Sequence, residues 1–312
     1  MLSWRRKTAQ AGRVSVVVPL YNHGRYIGEA IASILAEGKL VREIIVIDDG
    51  SSDDSIAVME KLARQDSRIV FRAQANQGAH ATINAGLQSC SGELLTILNS
   101  DDAYLPGRLA ALVTALEAEP EAAIAASALA FMNDASEAIE NLWYQDLMAG
   151  RSASQDMGVA LINGNFLMTT SNLLFRRSLI EELGLFAPLR YAHDLDFALR
   201  CLTYGKRILV VDQRLLRYRI HATNTISENH SKVRAEWAMC AAAYFANGLD
   251  SPSPDRMDWE TAASLEDVLR RHELGKAVHL CMSYLRRWGM EPLDRNRLLS
   301  DQEFLNRLSD WV

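Results

Sequence analysis

The chain has 312 residues, 49% of them hydrophobic and 23% charged, with a formal net charge of −6. That length holds one large domain or one domain with an extension, and the composition excludes wholesale disorder. No global basic field invites nucleic acid. The N-terminus, MLSWRRKTAQAGR, is basic but lacks the apolar core of a secretory signal. Val14 to Val18 then form a buried-strand run, stopped by Pro19. Apolar positions 26, 27, 30, 31, 34 and 35 make a helical stripe, with Gly38 near its end. EIIVIDDGSSDDS is a second apolar strand ending in a polar turn, followed by a helix over SIAVMEKLARQ. RIVFRA reads as a short strand, AHATINAGLQS as a helix and ELLTIL as the next strand. Pro106 suits the first turn of the helix PGRLAALVTALEAE.

The longest apolar stretch, AAIAASALAF at 122 to 131, is a strand candidate. It is too short to span a bilayer, which needs about 20 residues. Residues 132 to 170 read as irregular. SNLLFRRSLIEELGLF reads as strand, helix and glycine turn, HDLDFALRCLTYG as a helix, and RILVVD and LLRYRI as two strands. From about residue 230 the pattern is helical, interrupted by a linker composition at 249 to 258. Cys90, Cys201, Cys240 and Cys281 lie far apart, without a C-x-x-C pair. Neither a zinc site nor a disulfide framework is expected, and a reducing, cytosolic compartment fits.

Continuous apolar strands alternating with helices indicate an α/β fold with a mostly parallel sheet covered on both faces. Ligands of such sheets bind beyond the carboxyl ends of the strands. Three of those ends carry polar clusters: Pro19-Leu20-Tyr21-Asn22, Asp48-Asp49-Gly50-Ser51 and Asn99-Ser100-Asp101-Asp102. Adjacent carboxylates at a strand mouth repel each other and resist desolvation, which suits a hard divalent cation such as Mg2+ or Mn2+. The alternative is that Asp101 and Asp102 are turn or N-cap residues ahead of the following helix.

VSVVVPLYN, EIIVIDDGSSDDS, NQGAHATINAGLQSCSGELLTILNSDD, SNLLFRRSLIEELGLF, HDLDFALR and YRIHATNTIS resemble, in order and spacing, the family 2 glycosyltransferases with the GT-A fold. The resemblance implies a Rossmann-like catalytic domain at 13–229, after a tail at 1–12 and before a C-terminal helical extension at 230–312. It implies that Pro19, Tyr21 and Asn22 line the nucleotide base and ribose, and that Asp49 accepts the imide N–H of uracil. Asn76 and Gly78 border the same pocket. Asn99, Ser100 and Asp101 occupy the D-x-D position, with Asp101 the metal ligand and Asp102 in support. Asp194 falls on the catalytic base, with Asp196 as a rival and an N-cap role as the alternative. His221 falls where members place a histidine near metal and diphosphate; a hydrogen-bonded strand-end histidine is the other reading.

Two departures stand out. Asn99 replaces the usual aspartate, and Ile83 stands where many members carry an arginine toward the diphosphate; His80 or Arg219 is available to compensate. The implied activity is inverting, metal-dependent transfer from a nucleotide-sugar donor, with a UDP-sugar favoured, to a glycan or lipid-linked acceptor. Its implied setting is the synthesis of bacterial cell-surface polysaccharide or glycolipid. The protein is expected in the cytoplasm, with no transmembrane segment, and open to contact with the inner membrane face. The C-terminal helices are expected to serve packing, self-association or membrane docking. Competing readings are a non-catalytic nucleotide-sugar-binding subunit and a nucleotidyltransferase. PLYNHGRY lacks the glycine-rich loop of the latter, and no G-x-G-x-x-G supports a dehydrogenase.

Overall fold

The computed structural model describes residues 12–154, 156–222, 224–250, 258–288 and 292–312. Residues 1–11 of the expected 1–12 tail and the middle of the expected linker, 251–257, lie outside the described residues. Strands β1 (Val14–Leu20), β2 (Val41–Asp48), β3 (Ile69–Ala73) and β4 (Leu94–Ile97) alternate with α1 (Gly24–Leu35), α2 (Ser55–Gln65) and α3 (Ala79–Ser89). After β5 (Ala103–Tyr104) come α4 (Arg108–Ala118), β6 (Ala122–Met132), β7 (Ala138–Ile139), α5 (Leu142–Ala153) and α6 (Met157–Asn163). Next are β8 (Leu174–Arg176), α7 (Arg177–Leu183), α8 (His193–Thr203) and β9 (Arg207–Arg219). The described chain ends in helices α9 (His230–Asp250), α10 (Trp259–Arg271), α11 (Gly275–Trp288), α12 (Pro292–Ser300) and α13 (Gln302–Ser309).

The strands form one sheet in the order β3-β2-β1-β4-β8-β6-β9-β5, with β7 beside β6. β1 pairs in parallel with β2 and β4, β2 with β3, and β6 with β9, whereas β8 is antiparallel to both β4 and β6. The expected α/β class with a mostly parallel sheet is therefore observed. Side-chain alternation divides the strands between two cores. Val14, Val16, Val18 and Leu20 of β1 meet α1 and α4 on one face. Val17 meets α3 on the other, together with α6, α8 and α9–α13. The C-terminal helices thus share a core with the sheet. Leu265, Val268 and Leu269 of α10 and Cys281 and Leu285 of α11 are buried in it. Gly86 of α3 lets that helix approach β1, because a Cβ there would lie 2.3 Å from Val17 Cγ1.

Several expectations are corrected. Pro19 does not stop β1, and it pairs with Ile47 of β2. Its nitrogen faces the same side as the Val17 carbonyl, where β4 has already ended, so its missing N–H costs no ladder bond. Pro106 lies two residues ahead of α4, whose N-cap is Gly107. Residues 132 to 170 contain β7, α5 and α6 and are not irregular. The two strands expected at 207 to 220 are one, β9, running through exposed Asp212, Gln213 and Arg214. Among the described residues, no helix is long and apolar enough to cross a membrane.

Candidate active site

The carboxyl ends of β1, β2 and β4 are adjacent because the three strands are neighbours in parallel register. At the β1 mouth Tyr21 is half exposed, and Asn22 adopts φ 53°. Asn22 ties this mouth to that of β2: its N–H donates to Ser51 Oγ at 2.8 Å, and its Oδ1 accepts from the Ser52 N–H at 2.8 Å. Asp48 is buried; its Oδ1 accepts from the N–H groups of Gly50 and Ser51, holding the β2 turn. Asp49 is buried too. Its Oδ1 accepts from Gln74 Nε2 and the Gln77 N–H, each at 2.9 Å, and its Oδ2 from the Gly78 N–H at 2.8 Å. Gly78 sits at φ +87°, a left-handed geometry that glycine adopts without strain. Asn76 is exposed beside it. His80 follows in the first turn of α3, where burial, reinforced by His193 and opposed by Asp49, lowers its pKa.

At the β4 mouth the four polar residues point to different partners. Asn99 is turned to the loop before β8: its Nδ2 donates to Thr169 Oγ1 at 2.9 Å and its Oδ1 accepts from Thr170 Oγ1 at 3.2 Å. Ser100 Oγ meets His23 Nδ1 at 2.8 Å. Asp102 is buried, and both its oxygens are engaged, one by Ser171 Oγ at 2.7 Å and one by the Arg219 N–H at 3.0 Å. Burial and the neighbouring Asp101 push its pKa well above the usual carboxylate range. Asp102 is therefore a clasp between β4, β9 and the 169–171 segment.

Asp101 is placed differently. Its Oδ2 lies 2.9 Å from His221 Nε2, and His23 approaches from the β1 mouth. Burial opposes ionisation of Asp101, but the His221 hydrogen bond and the charge of His23 outweigh it and lower the pKa. His23, Asp101 and His221 bring one donor atom each within 4.8 Å of one another. The Tyr26 ring stands 5.6 Å from that of His23 and 5.5 Å from that of His221, walling both imidazoles. Burial lowers the His23 pKa, and the neutral imidazole is the form that ligates. Two imidazoles and a carboxylate fit a divalent transition ion such as Mn2+ better than Mg2+, which favours oxygen ligands. His23 was not singled out by the sequence. The available signal was its place just beyond the β1 mouth, next to the β4 mouth that carries Asp101.

Asp194 is the second residue of α8, inside its first turn and not ahead of it. It is buried, and its Oδ2 accepts from Asn165 Nδ2 at 2.9 Å. Burial raises the Tyr218 pKa, and the charges of Asp102, Asp101 and Asp194 raise it further. The rival Asp196 is enclosed, pairing with Arg200 at 3.0 Å and with Arg295 of α12. Ile83 is buried in the core beneath α3. Arg219 does not take the place of the missing arginine. Its guanidinium is fully buried on Glu29, Ser136 and the carbonyls of Asp101 and Asn133.

The family model for glycosyl transferase family 2 matches residues 15–184, more than half of the 312. The chain belongs to that family. An uncharacterized glycosyltransferase of Nostoc sp. is 30% identical over 217 residues, covering 68% of this chain and 66% of that protein. The match therefore spans slightly under two thirds of that relative's length. A GalNAc(5)-diNAcBac-PP-undecaprenol beta-1,3-glucosyltransferase of Campylobacter jejuni is 40% identical over 103 residues, 32% of this chain and 33% of its own. S. aureus TarS 1–349, solved with UDP-GlcNAc, superposes with a TM-score of 0.61 at 16% identity, over 93% of this chain and 91% of that one. A mannosyltransferase from Pyrobaculum calidifontis, solved with GDP-Man and Mn2+, gives 0.62 at 17% identity, over 96% and 86%. At such identities the likeness establishes the fold, which is that of GT-A glycosyltransferases.

Proposed function

We propose that this family 2 chain is an inverting, metal-dependent glycosyltransferase. In this reading it moves a sugar from a nucleotide-diphosphate donor, with a UDP-sugar favoured, to an acceptor hydroxyl. The observation that carries the reading is the convergence of His23, Asp101 and His221 within 4.8 Å at the strand mouths, a donor set that suits a cation; the buried, Asn165-bonded carboxylate of Asp194 accompanies it. Asp49 has about four lone-pair directions, and the chain fills three of them. The remaining one suits a nucleobase imide N–H. In this reading Tyr21, Pro19, Asn76 and Gly78 line the base and ribose, and His80 serves the diphosphate.

Asp101, His221 and His23 would hold a divalent cation, which would supply positive charge against a departing diphosphate. Asp194 removes the acceptor proton as the hydroxyl attacks the anomeric carbon from the face opposite the leaving group, which inverts the configuration. The Asn165 hydrogen bond fixes one carboxylate oxygen and leaves the other to act. Both amide atoms of Asn99 are engaged by Thr169 and Thr170, so this neutral side chain is turned away from ligation.

The acceptor is a glycan or a lipid-linked oligosaccharide of cell-surface synthesis, handled on the cytoplasmic side of the membrane. The name of the Campylobacter jejuni relative supports that setting. A thermal-shift screen of UDP-, GDP- and dTDP-sugars, with Mn2+ or with EDTA, tests donor and metal together. Nucleoside diphosphate release, compared between the native chain and Asp194→Asn, tests the chemistry. Metal-dependent binding with release lost in the mutant is the expected result. Binding without any release from the native chain would favour the non-catalytic subunit.

A further inference from the structure

The N-terminus of α8 has no cap of its own. Its N-cap residue, Ala192, is buried and makes no side-chain hydrogen bond, and the turn before it runs through buried Leu189, exposed Arg190 and half-buried Tyr191. Amides placed there need acceptors. They find them on another element: Glu236, on α9, is 1% exposed and accepts three of them. Its Oε1 takes the Arg190 N–H at 2.9 Å, and its Oε2 takes those of Tyr191 at 2.7 Å and Ala192 at 2.9 Å. Burying a carboxylate is unfavourable unless such donors surround it. An apolar side chain would fill the same space without that cost, but it would leave three amides unsatisfied.

Asp194 comes two residues after Ala192. Two residues further on, Asp196 is gripped by Arg295 of α12. The short piece of chain bearing Asp194 is thus held on both sides by the helices that follow residue 230. We propose that Glu236 is a positioning residue for Asp194, so that these helices set the geometry of the reaction and do more than cover the core. The inference rests on the reading of Asp194 as the base.

The full chain with Mn2+ tests it, using whichever of UDP-glucose, UDP-N-acetylglucosamine and GDP-mannose releases its nucleoside diphosphate fastest, with water as acceptor. Glu236→Gln keeps the shape but presents one carbonyl oxygen where three N–H groups converge. A displacement near 1 Å at a reacting group costs up to about 100-fold. Glu236→Gln should therefore lower kcat by about 10- to 100-fold while the donor KM stays within about twofold. In an Asp194→Asn background the same change should cost less than about threefold, because a residue acting through Asp194 has nothing left to position. Hydrogen exchange at the amides of residues 190–194 should rise.

Unchanged kcat in Glu236→Gln, or an equal loss in the Asp194→Asn background, overturns the inference. If Glu236→Gln does not fold, Glu236→Asp, which keeps the charge and withdraws it by one methylene, is put through the same cycle and judged by the same criteria. Near-native release by Asp194→Asn would instead overturn the assignment of the base. Slow release by Asp194→Asn with native kcat in Glu236→Gln would remove the positioning role alone.

Discussion

Asn165 Nδ2 donates to Asp194 Oδ2 at 2.9 Å, joining the loop ahead of β8 to the first turn of α8. The same loop holds Asn99 through Thr169 and Thr170, and Asp102 through Ser171. One segment therefore indexes Asp194 against the mouth of β4.

Replacing Asp194, the proposed base, and its neighbour Asp196 should separate chemistry from stability. Asp194→Asn is expected to lower the transfer rate about 10²- to 10⁴-fold with donor affinity retained. Asp196→Asn breaks the enclosed pairing with Arg200 and Arg295. Removing one partner of a buried pair costs about 3–5 kcal/mol, so its signature is a lower melting temperature. Donor titration, initial rates and thermal melts on both variants decide it. A rate collapse confined to Asp196→Asn would move the base.

The cation site predicts a stabilisation that depends on His23. At a ligand concentration 100 times its Kd, binding adds about 2.7 kcal/mol. Mn2+ with UDP should raise the melting temperature of the native chain, and UDP with EDTA should raise it less. His23→Ala and Asp101→Asn should each shrink the Mn2+ increment. Asn99→Asp should leave it nearly unchanged, since that side chain faces Thr169 and Thr170. Equal shifts in Mn2+ and EDTA would falsify the metal role.

Acid should destabilise the contact between α10 and α6. The His272 ring lies tilted against that of Trp237, centroids 5.2 Å apart, and its Nε2 lies 3.3 Å from Asn163 Oδ1. Burial lowers its pKa below 6.5, assisted by Arg271 and Arg234 and opposed by Asn163. The unfolded chain then binds more protons than the folded one between the lowered value and 6.5, so stability rises with pH across that window. It is complete above about 6.5 and is lost as pH falls through the folded pKa. Denaturant melts from pH 7.5 down to 5 should show the loss, and His272→Gln should reduce the slope. An unchanged slope in that variant would assign the acid sensitivity elsewhere.

Two glycines should respond to alanine in different ways. A Cβ on Gly86 meets Val17 at 2.3 Å, so Gly86→Ala overpacks α3 against β1 and should cost about 1–3 kcal/mol. A Cβ on Gly78 meets nothing, but φ +87° strains any side chain. Gly78→Ala should therefore weaken donor binding by displacing the N–H that Asp49 holds. Melting curves and donor titration on the two variants distinguish lost packing from a lost binding wall.

The sheet was legible where burial on both faces made apolar runs continuous, as in β1, β2 and β4, and where each run broke into polar residues at its mouth. Helices α1 and α2 were legible from period. Helices α5 and α6 were not, for opposite reasons. Along α5 the exposed Leu142 and Trp143 adjoin buried Tyr144 and blur the stripe that Tyr144, Leu147 and Met148 form. Five consecutive residues of α6, Gly158 to Ile162, are buried and show no period. β9 looked broken because Asp212, Gln213 and Arg214 face solvent, at the level where its register against β6 shifts. At the site, the clusters marked the mouths, but residue types did not reveal which way each side chain turns. Arg219, Asn99 and Asp102 are directed by tertiary partners far away in sequence. His23 became visible only when β1 and β4 were seen to lie side by side.

The pairing of Asp196 with Arg295 spans 99 residues, and this has a consequence for biosynthesis. At about 5–20 residues per second, a ribosome takes roughly 5–20 s to travel from one to the other. β1, β2 and β4, with Asp49 and Asp101, have all been made before that interval begins. A nascent chain can thus assemble the strand mouths of β1, β2 and β4 while the turn bearing Asp194 still lacks its anchors. Variants that slow or disturb the late helices should accumulate as half-finished molecules, with an ordered sheet and an idle α8.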